Sequence, residues 1–465
     1  MDKQLSFCPV RHQAIINANA LAIESDGVSL TYQQLDNRLN ILSRQLLNLH
    51  LKAGDRLVCI SENSLKVILL QLTCIRLGLI FCPLNPRFSA AEIEQRLNVL
   101  KSDFIWLANP QKHSHLSSLA IDFSIYPKGV VAPAPLKIDP QKVCNIIFTS
   151  GSSGQPKAVM HCFSNHYYSA IGSQYGIALR AKDRNLLSLP LFHISGFATV
   201  IRTLIAGATL VVSAEKLCVS LLKKEKITHL SLVATQLYRL LSSLDFQQKE
   251  LSIKHLLLGG SLFSDRLLVQ TRQRGFVYHL SYGLSEMSSQ VATSTNSKKL
   301  ILLPGQQVKI INNEICLRGK MRFAGYFNGH LDSSRLPEDQ WFASKDLGAL
   351  MGNELCILGR TDRLIISGGE NIQAEELESI LLNFAHIKQA YIVAVTDPVF
   401  GERPAAFIDW ENGKIKQQQL QIYLQDKLSS YKQPVHYFTL PEQTGLKVSL
   451  RELQVIAQVA HNMTL

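Results

Sequence analysis

The first third of the chain alternates between two hydrophobic periods. Thr31 and Gln34 stand three apart as a capping box, and Leu35, Leu39, Leu42, Leu46 and Leu49 follow at helical spacing, which predicts an amphipathic helix. Gly54-Asp55 ends it, and "RLVCI" reads as a short, fully buried strand. A second apolar helix over about residues 64–77 leads into "LIFCPLNP", a strand closed by Pro83 and Pro86. This βαβ alternation predicts a sheet covered by helices on its faces. "LLSLP", "ATLVVS", "HLSLVA" and "HLLLGG" extend the strand series.

Beyond about residue 300 the pattern changes. "QVKIINNEICLRG" and "ELCILGR" alternate with period two, as in a small antiparallel, barrel-like unit. The last hundred residues read as a separate α+β piece: a helix over 375–383, strands "AYIVAV" and "AAFIDW", a helix "QQQLQIYLQDKL" and a strand "HYFTL". The predicted fold is α/β, a large N-terminal domain of helix-covered sheets over 1–361 and a small mobile C-terminal α+β lid over 362–465. No internal repeat or low-complexity segment interrupts it.

Composition narrows the class. Hydrophobic residues make up 46% of the 465 and charged residues 18%, which is globular rather than disordered. The net charge of +12 favours anionic partners. The basic residues are scattered, however, and the densest cluster, "KKEK" at 223–226, reads as a solvated helix face. No basic–aromatic stripe, helix-turn-helix signal or basic amphipathic helix supports nucleic-acid or membrane-surface binding. Nine cysteines occur, an odd number with no CxxC pair, so neither a disulfide framework nor a zinc site is indicated. The N-terminus lacks the apolar run of a signal peptide, and "FATVIRTLIAGATLVVSA" carries Arg202, which argues against a membrane span. A cytoplasmic protein is expected.

One stretch departs from this texture. "NIIFTSGSSGQPKAVMH" passes from an apolar run into small, polar and Gly/Pro positions around a single cation, Lys157. Such a loop is either an ordinary turn between two strands or a polyphosphate cradle, offering backbone N–H groups, hydroxyls and one ammonium. It is not a Walker A loop, because Pro156 precedes the lysine and "AVMH" reads as strand. Downstream come "YGLSE", "SKDLG", "GRTDRLIISGGENIQAEELE" and "GLKVS". Together with "TSGSSGQPK", in this order and spacing, they resemble the adenylate-forming superfamily of acyl- and aryl-CoA ligases, adenylation domains and luciferases. The resemblance spans essentially the whole chain. "LLSLPLFHISGFATVIRTLIAGATL", "LVATQLYRLL" and "LLLGGSLF" further resemble the 2-succinylbenzoate–CoA ligase family of menaquinone biosynthesis.

The resemblance implies an acid–thiol ligase that joins a carboxylic acid to CoA through an acyl-adenylate, using ATP and Mg2+. It implies that Thr149, Ser150, Gly151, Ser152, Ser153, Gly154 and Lys157 hold the ATP phosphates and that Glu286 is the magnesium carboxylate. Tyr282 would stack on adenine, with Gly259, Gly260, Gly283 and Ser285 shaping that pocket. Asp346 would accept from the ribose hydroxyls with Arg360 beside it, Asp362 would be the hinge, and Lys447 would bridge the substrate carboxylate and the α-phosphate. Two positions depart from the usual pattern: Ser285 stands where Thr is common, and Leu446 rather than Gly precedes Lys447.

Arg202, inside an apolar run, either snorkels, joins a structural ion pair or faces a pocket. Its offset after "LFHISG" matches the arginine that binds the benzoate in this family, with His193, Ser195 and Gly196 lining the acyl channel. Glu375, Glu376 and Glu378 read as acids of a helix's first turn rather than as a catalytic pair. The implied partners are small molecules, 2-succinylbenzoate, ATP and CoA, with no nucleic acid, no integral membrane association and homo-oligomerisation left open. Ligation of another aromatic or medium-chain acid, or transfer to a carrier-protein thiol, remains the alternative.

Overall fold

The computed structural model describes residues 3–6, 8–102, 104–125, 137–149, 156–331, 334–411, 417–442 and 448–463. Among the described residues the strands form three sheets. The first runs parallel through Thr209–Val212, Arg184–Leu186, His229–Leu232, His255–Gly259 and Tyr278–Leu284. It then turns antiparallel at Ser289–Thr293 and continues through Leu300–Leu302, Glu354–Arg360, Phe342–Met351, Glu314–Gly319 and Gln306–Ile311. The antiparallel unit is thus hydrogen bonded edge-on to the larger sheet. The second sheet contains Arg56–Ile60, Ile80–Leu84, Phe104–Leu107 and Val143–Thr149 in parallel, followed by the antiparallel Lys157–Cys162 and Gly325–Tyr326.

Helices fill the space about these sheets. Tyr32–Asn48 begins with the predicted capping box, Thr31 and Gln34 exchanging side-chain and backbone bonds. Leu35, Leu39, Leu42 and Leu46 face one core with Leu65–Leu77, Phe163–Ser173 and Ile194–Ile205. Asp36, fully buried on the first of these helices, accepts from Arg11 at 2.5 Å and Arg76 at 2.6 Å, joining three helices at one carboxylate. Seven of the nine cysteines are buried and all nine are free thiols.

The third sheet is built from the segment after Arg363. Its order is Glu370–Gln373, Leu364–Ser367, Gly401–Trp410 and Ile387–Asp397, with His436–Thr439 parallel to Gly401–Trp410. Alternation sorts its faces. Ile392, Ala406 and Ile408 meet helices Ala374–Asn383 and Gln417–Lys427, whereas Val393, Val395, Ala405 and Phe407 meet Leu450–Asn462. No helix among the described residues is long and apolar enough to cross a membrane.

Candidate active site

The strand–loop–strand around the glycine- and serine-rich stretch folds as an antiparallel pair in which Thr149 faces Lys157. Residues 150–155, and with them Ser150, Gly151, Ser152, Ser153 and Gly154, lie outside the described residues. So does Lys447. At the near end of the loop the Lys157 ammonium sits 5.0 Å above the Tyr326 ring, and the Tyr326 hydroxyl donates to Glu286 Oε1 at 2.7 Å. Burial and the neighbouring carboxylate hold the Tyr326 hydroxyl protonated. A cation, a phenol and a carboxylate therefore share one place, although Lys157 and Glu286 come from different sheets.

Glu286 follows the strand Tyr278–Leu284 in a single 3-10 turn. Gly283, three residues earlier, is required there by close approach: a Cβ would lie 1.7 Å from the Ser289 carbonyl oxygen. Among the described residues no group of three or more His, Cys, Asp or Glu side chains could hold a metal ion. A lone, partly exposed carboxylate beside a cationic loop suits magnesium, a hard cation that takes one or two protein oxygens and completes its shell with water and phosphate.

A second cluster begins at Tyr282. Its hydroxyl donates to Asp346 Oδ2 at 2.5 Å, and Arg360 Nη1 donates to Asp346 Oδ1 at 2.8 Å. Arg360 also grips Asp362 through Nε and Nη2, both at 2.9 Å. This is the fork geometry that arginine offers a carboxylate. Burial raises the Asp346 pKa against the lowering pull of Tyr282 and Arg360, whereas Arg360 holds Asp362 below the usual carboxylate range despite its burial. Asp346 and Asp362, the acid at the start of the third sheet, are thus bridged by one guanidinium. Gly259 ends the neighbouring strand opposite Ser281, and Gly260 continues in the left-handed region with φ 75°.

The third cluster lies on helix Ile194–Ile205. His193 is its N-cap residue and its ring meets Phe192 edge-on at 4.9 Å. Ser195 is the second residue of the helix, and its carbonyl accepts from the Thr199 hydroxyl. Gly196 packs so closely on Pro190 that a Cβ would lie 2.1 Å from its carbonyl oxygen. Arg202 is 3% exposed. It donates to the Ala198 carbonyl at 3.2 Å, Thr199 Oγ1 at 3.3 Å and Gln290 Oε1 at 3.4 Å, and no carboxylate among the described residues lies within ion-pair distance. Burial pulls its pKa down to about 10. Gln290 pairs with Gly283 across the sheet, so the arginine's neighbour belongs to the strand opposite the Tyr282–Glu286 segment.

The acids of helix Ala374–Asn383 behave differently from a first turn that only satisfies a dipole. Glu375 and Glu378 both bind Arg363, at 3.0 and 2.6 Å, and buried Glu378 also accepts from the Ile392 amide. Tyr326, Gln290 and the histidines behind Ser285 carried no sequence signal. Each is a single residue whose partner is far along the chain.

With the Tyr282–Asp346–Arg360 cluster, the Lys157–Tyr326–Glu286 group and a separate C-terminal sheet, the chain falls in the class of AMP-binding enzymes. The family described as AMP-binding enzyme matches residues 10–327, and the AMP-binding enzyme C-terminal domain matches 376–444. The 2-succinylbenzoate–CoA ligase of Escherichia coli (strain K12) is 32% identical over 453 residues, 96% of this chain and 97% of the relative. A solved E. coli MenE variant with bound OSB-AMS superposes with a TM-score of 0.85 at 31% identity, covering 98% and 99% of the two chains. The Bacillus subtilis o-succinylbenzoate coenzyme A synthetase in complex with ATP and magnesium ion gives 0.85 at 26% identity, covering 97% and 99%. The chain belongs to the AMP-binding enzymes and, within them, to the 2-succinylbenzoate–CoA ligase family.

Proposed function

We propose that the chain converts 2-succinylbenzoate, ATP and CoA to 2-succinylbenzoyl-CoA, AMP and pyrophosphate, a step of menaquinone biosynthesis. In the first half-reaction a succinyl carboxylate oxygen bonds to the α-phosphorus of ATP, and the bond from that phosphorus to the bridging oxygen of the β-phosphate breaks. In the second, the CoA sulfur gives up its proton and bonds to the acyl carbon. AMP leaves with the electron pair of the acyl C–O bond.

Both reactants of the first step are anionic, so positioned cations and N–H groups do most of the work. The Thr149–Lys157 loop holds the β- and γ-phosphates, with Lys157 oriented by the Tyr326 ring. Glu286 holds magnesium, which when bound offsets phosphate charge. Tyr282 flanks adenine, Gly259, Gly260, Gly283 and Ser285 shape its pocket, and Asp346 accepts from the ribose. Lys447 bridges carboxylate and α-phosphate, then withdraws as the domain of residues 362–465 pivots on Asp362 against residues 1–361. Lys447→Ala is expected to slow pyrophosphate release about 10²- to 10³-fold. Thioester formation from preformed acyl-adenylate should change far less; equal losses in both would remove the lysine from this role.

The observation that carries the substrate reading is Arg202. A cation this deeply buried without an acid partner is costly, and a ligand carboxylate relieves it. The aromatic carboxylate of 2-succinylbenzoate, which takes no part in the chemistry, supplies that partner, with His193, Ser195 and Gly196 along the acyl channel. The test is pyrophosphate release with 2-succinylbenzoate, benzoate, a medium-chain fatty acid and succinate, CoA being added afterwards. Selective release with the diacid is expected. Arg202→Leu should cost about 2–5 kcal/mol of diacid transition-state binding, upward of thirtyfold in kcat/KM. Retained diacid selectivity in that variant would refute the assignment.

A further inference from the structure

A line of buried polar side chains runs behind Glu286 that the phosphate and substrate clusters do not use. His161 is fully buried on strand Lys157–Cys162, four residues after Lys157. It stands directly opposite Asn145 in the strand register, as Lys157 stands opposite Thr149. His161 Nε2 lies 2.6 Å from the carbonyl oxygen of Ser285, the residue before Glu286. A carbonyl only accepts, so Nε2 carries the hydrogen and Nδ1 presents its lone pair. That lone pair faces the Asn145 side-chain amide at 3.2 Å, and Asn145 Oδ1 accepts from His166 Nε2 at 2.7 Å. His166 in turn packs against Phe197, the ring centroids 4.4 Å apart and the planes tilted by 33°. The tautomer of His161 is therefore fixed from both sides.

The Ser285 carbonyl also accepts the Ser288 amide at 3.0 Å, which closes the turn locally. His161 takes the remaining acceptor capacity and ties the backbone of this turn to the floor of the strand pair bearing the phosphate loop. From the same sheet the Tyr326 hydroxyl reaches the Glu286 carboxylate itself. We propose that His161, held by Asn145, is a positioning residue that sets Glu286 against Lys157 and the Tyr326 ring beneath it. It thereby governs metal-dependent ATP binding and adenylation without touching substrate. The proposal rests on Glu286 being the magnesium carboxylate.

The test is calorimetric titration of the whole enzyme with ATP over a series of Mg2+ concentrations, without acid, so that binding is read apart from turnover. His161→Leu removes the donor. It should raise the Mg2+ concentration needed for half-maximal ATP binding about 10- to 100-fold, the range seen when a residue supporting a metal ligand is lost. Thioester formation from preformed acyl-adenylate should be unchanged. His161→Gln places an amide donor near the Nε2 position and should restore most of the Mg2+ affinity. Should the leucine variant not fold, His161→Asn replaces it, since its shorter amide still meets Asn145 but does not reach Ser285. Unchanged Mg2+ affinity in the leucine or asparagine variant overturns the proposal, as does a glutamine variant that fails to restore what leucine loses. Glu286→Gln separates the two levels: if it leaves Mg2+ affinity unchanged, the metal assignment itself fails and the positioning role falls with it. If Glu286→Gln weakens Mg2+ while His161→Leu does not, the positioning role alone is lost.

Discussion

Gln290 decides how Arg202 presents itself. Its Oε1 receives the guanidinium, while Nε2 donates to Ser281 Oγ at 3.2 Å and Thr293 Oγ1 at 3.3 Å, which fixes the amide's orientation. An internal carboxylate at this position would satisfy the arginine before substrate arrives. Gln290→Glu is thus expected to raise KM for 2-succinylbenzoate at least about tenfold, in line with a charge pair worth 1.5 kcal/mol or more. The ATP KM should stay near its original value; steady-state kinetics in both substrates checks this. At this scale the sequence was legible only where residues travel in ordered motifs. Tyr282, Glu286, Asp346, Arg360 and Asp362 stand in such motifs. Tyr326, Gln290 and His161 do not, since His161 meets Ser285 across 124 positions and Gln290 meets Arg202 across 88.

Elements were legible to the extent that their burial pattern is one-dimensional. Arg56–Ile60 and Ile80–Leu84 are strands where "RLVCI" and "LIFCPL" predict them, because parallel strands buried on both faces read as continuous apolar runs. "LLSLP" misleads for the same reason: the strand is Arg184–Leu186, and Leu187 and Leu189 are buried in the loop that follows. Apolarity reports burial, not hydrogen bonding. Helix–helix joints are invisible to such patterns when they are ionic. Asp36 satisfies Arg11 and Arg76 from two other helices. Asp36→Asn would leave two buried cations short of their counter-ion and should cost about 3–5 kcal/mol, read as a lowered denaturant midpoint with an unchanged slope.

For the whole molecule, acid should act through the parallel sheet as well as through surface carboxylates. His229, His255 and His279 lie on three neighbouring strands, ring centroids 5.1 and 5.0 Å apart, with Asp183 and Lys254 as the charged groups beside them. Burial lowers all three, to about 4 for His229 and His279, and Lys254 opposes protonation of His229 and His255 while Asp183 favours it. Because the folded pKa values lie below the unfolded value of about 6.5, their stabilising contribution is complete above that pH and is lost as the pH falls toward 4. Melting temperature should therefore be flat above pH 7 and decline below 6.5. The decline should be shallower in His229→Asn, and identical slopes in the two proteins would exclude the histidines as its source.

The bridge made by Arg360 has a thermodynamic consequence. Asp346 and Asp362 draw on the same guanidinium, one acid proposed to meet the ribose and the other standing where the C-terminal sheet begins. Any ligand that alters the charge or hydrogen bonding of Asp346 changes what Arg360 can give to Asp362. If the domain pivots at Asp362 as proposed, linkage makes the effect reciprocal: the factor by which nucleotide biases the interdomain angle is the factor by which that angle biases nucleotide affinity. On the proposed roles of Asp346 and Asp362, ATP entry and AMP departure would be two readings of one free energy passing through Arg360.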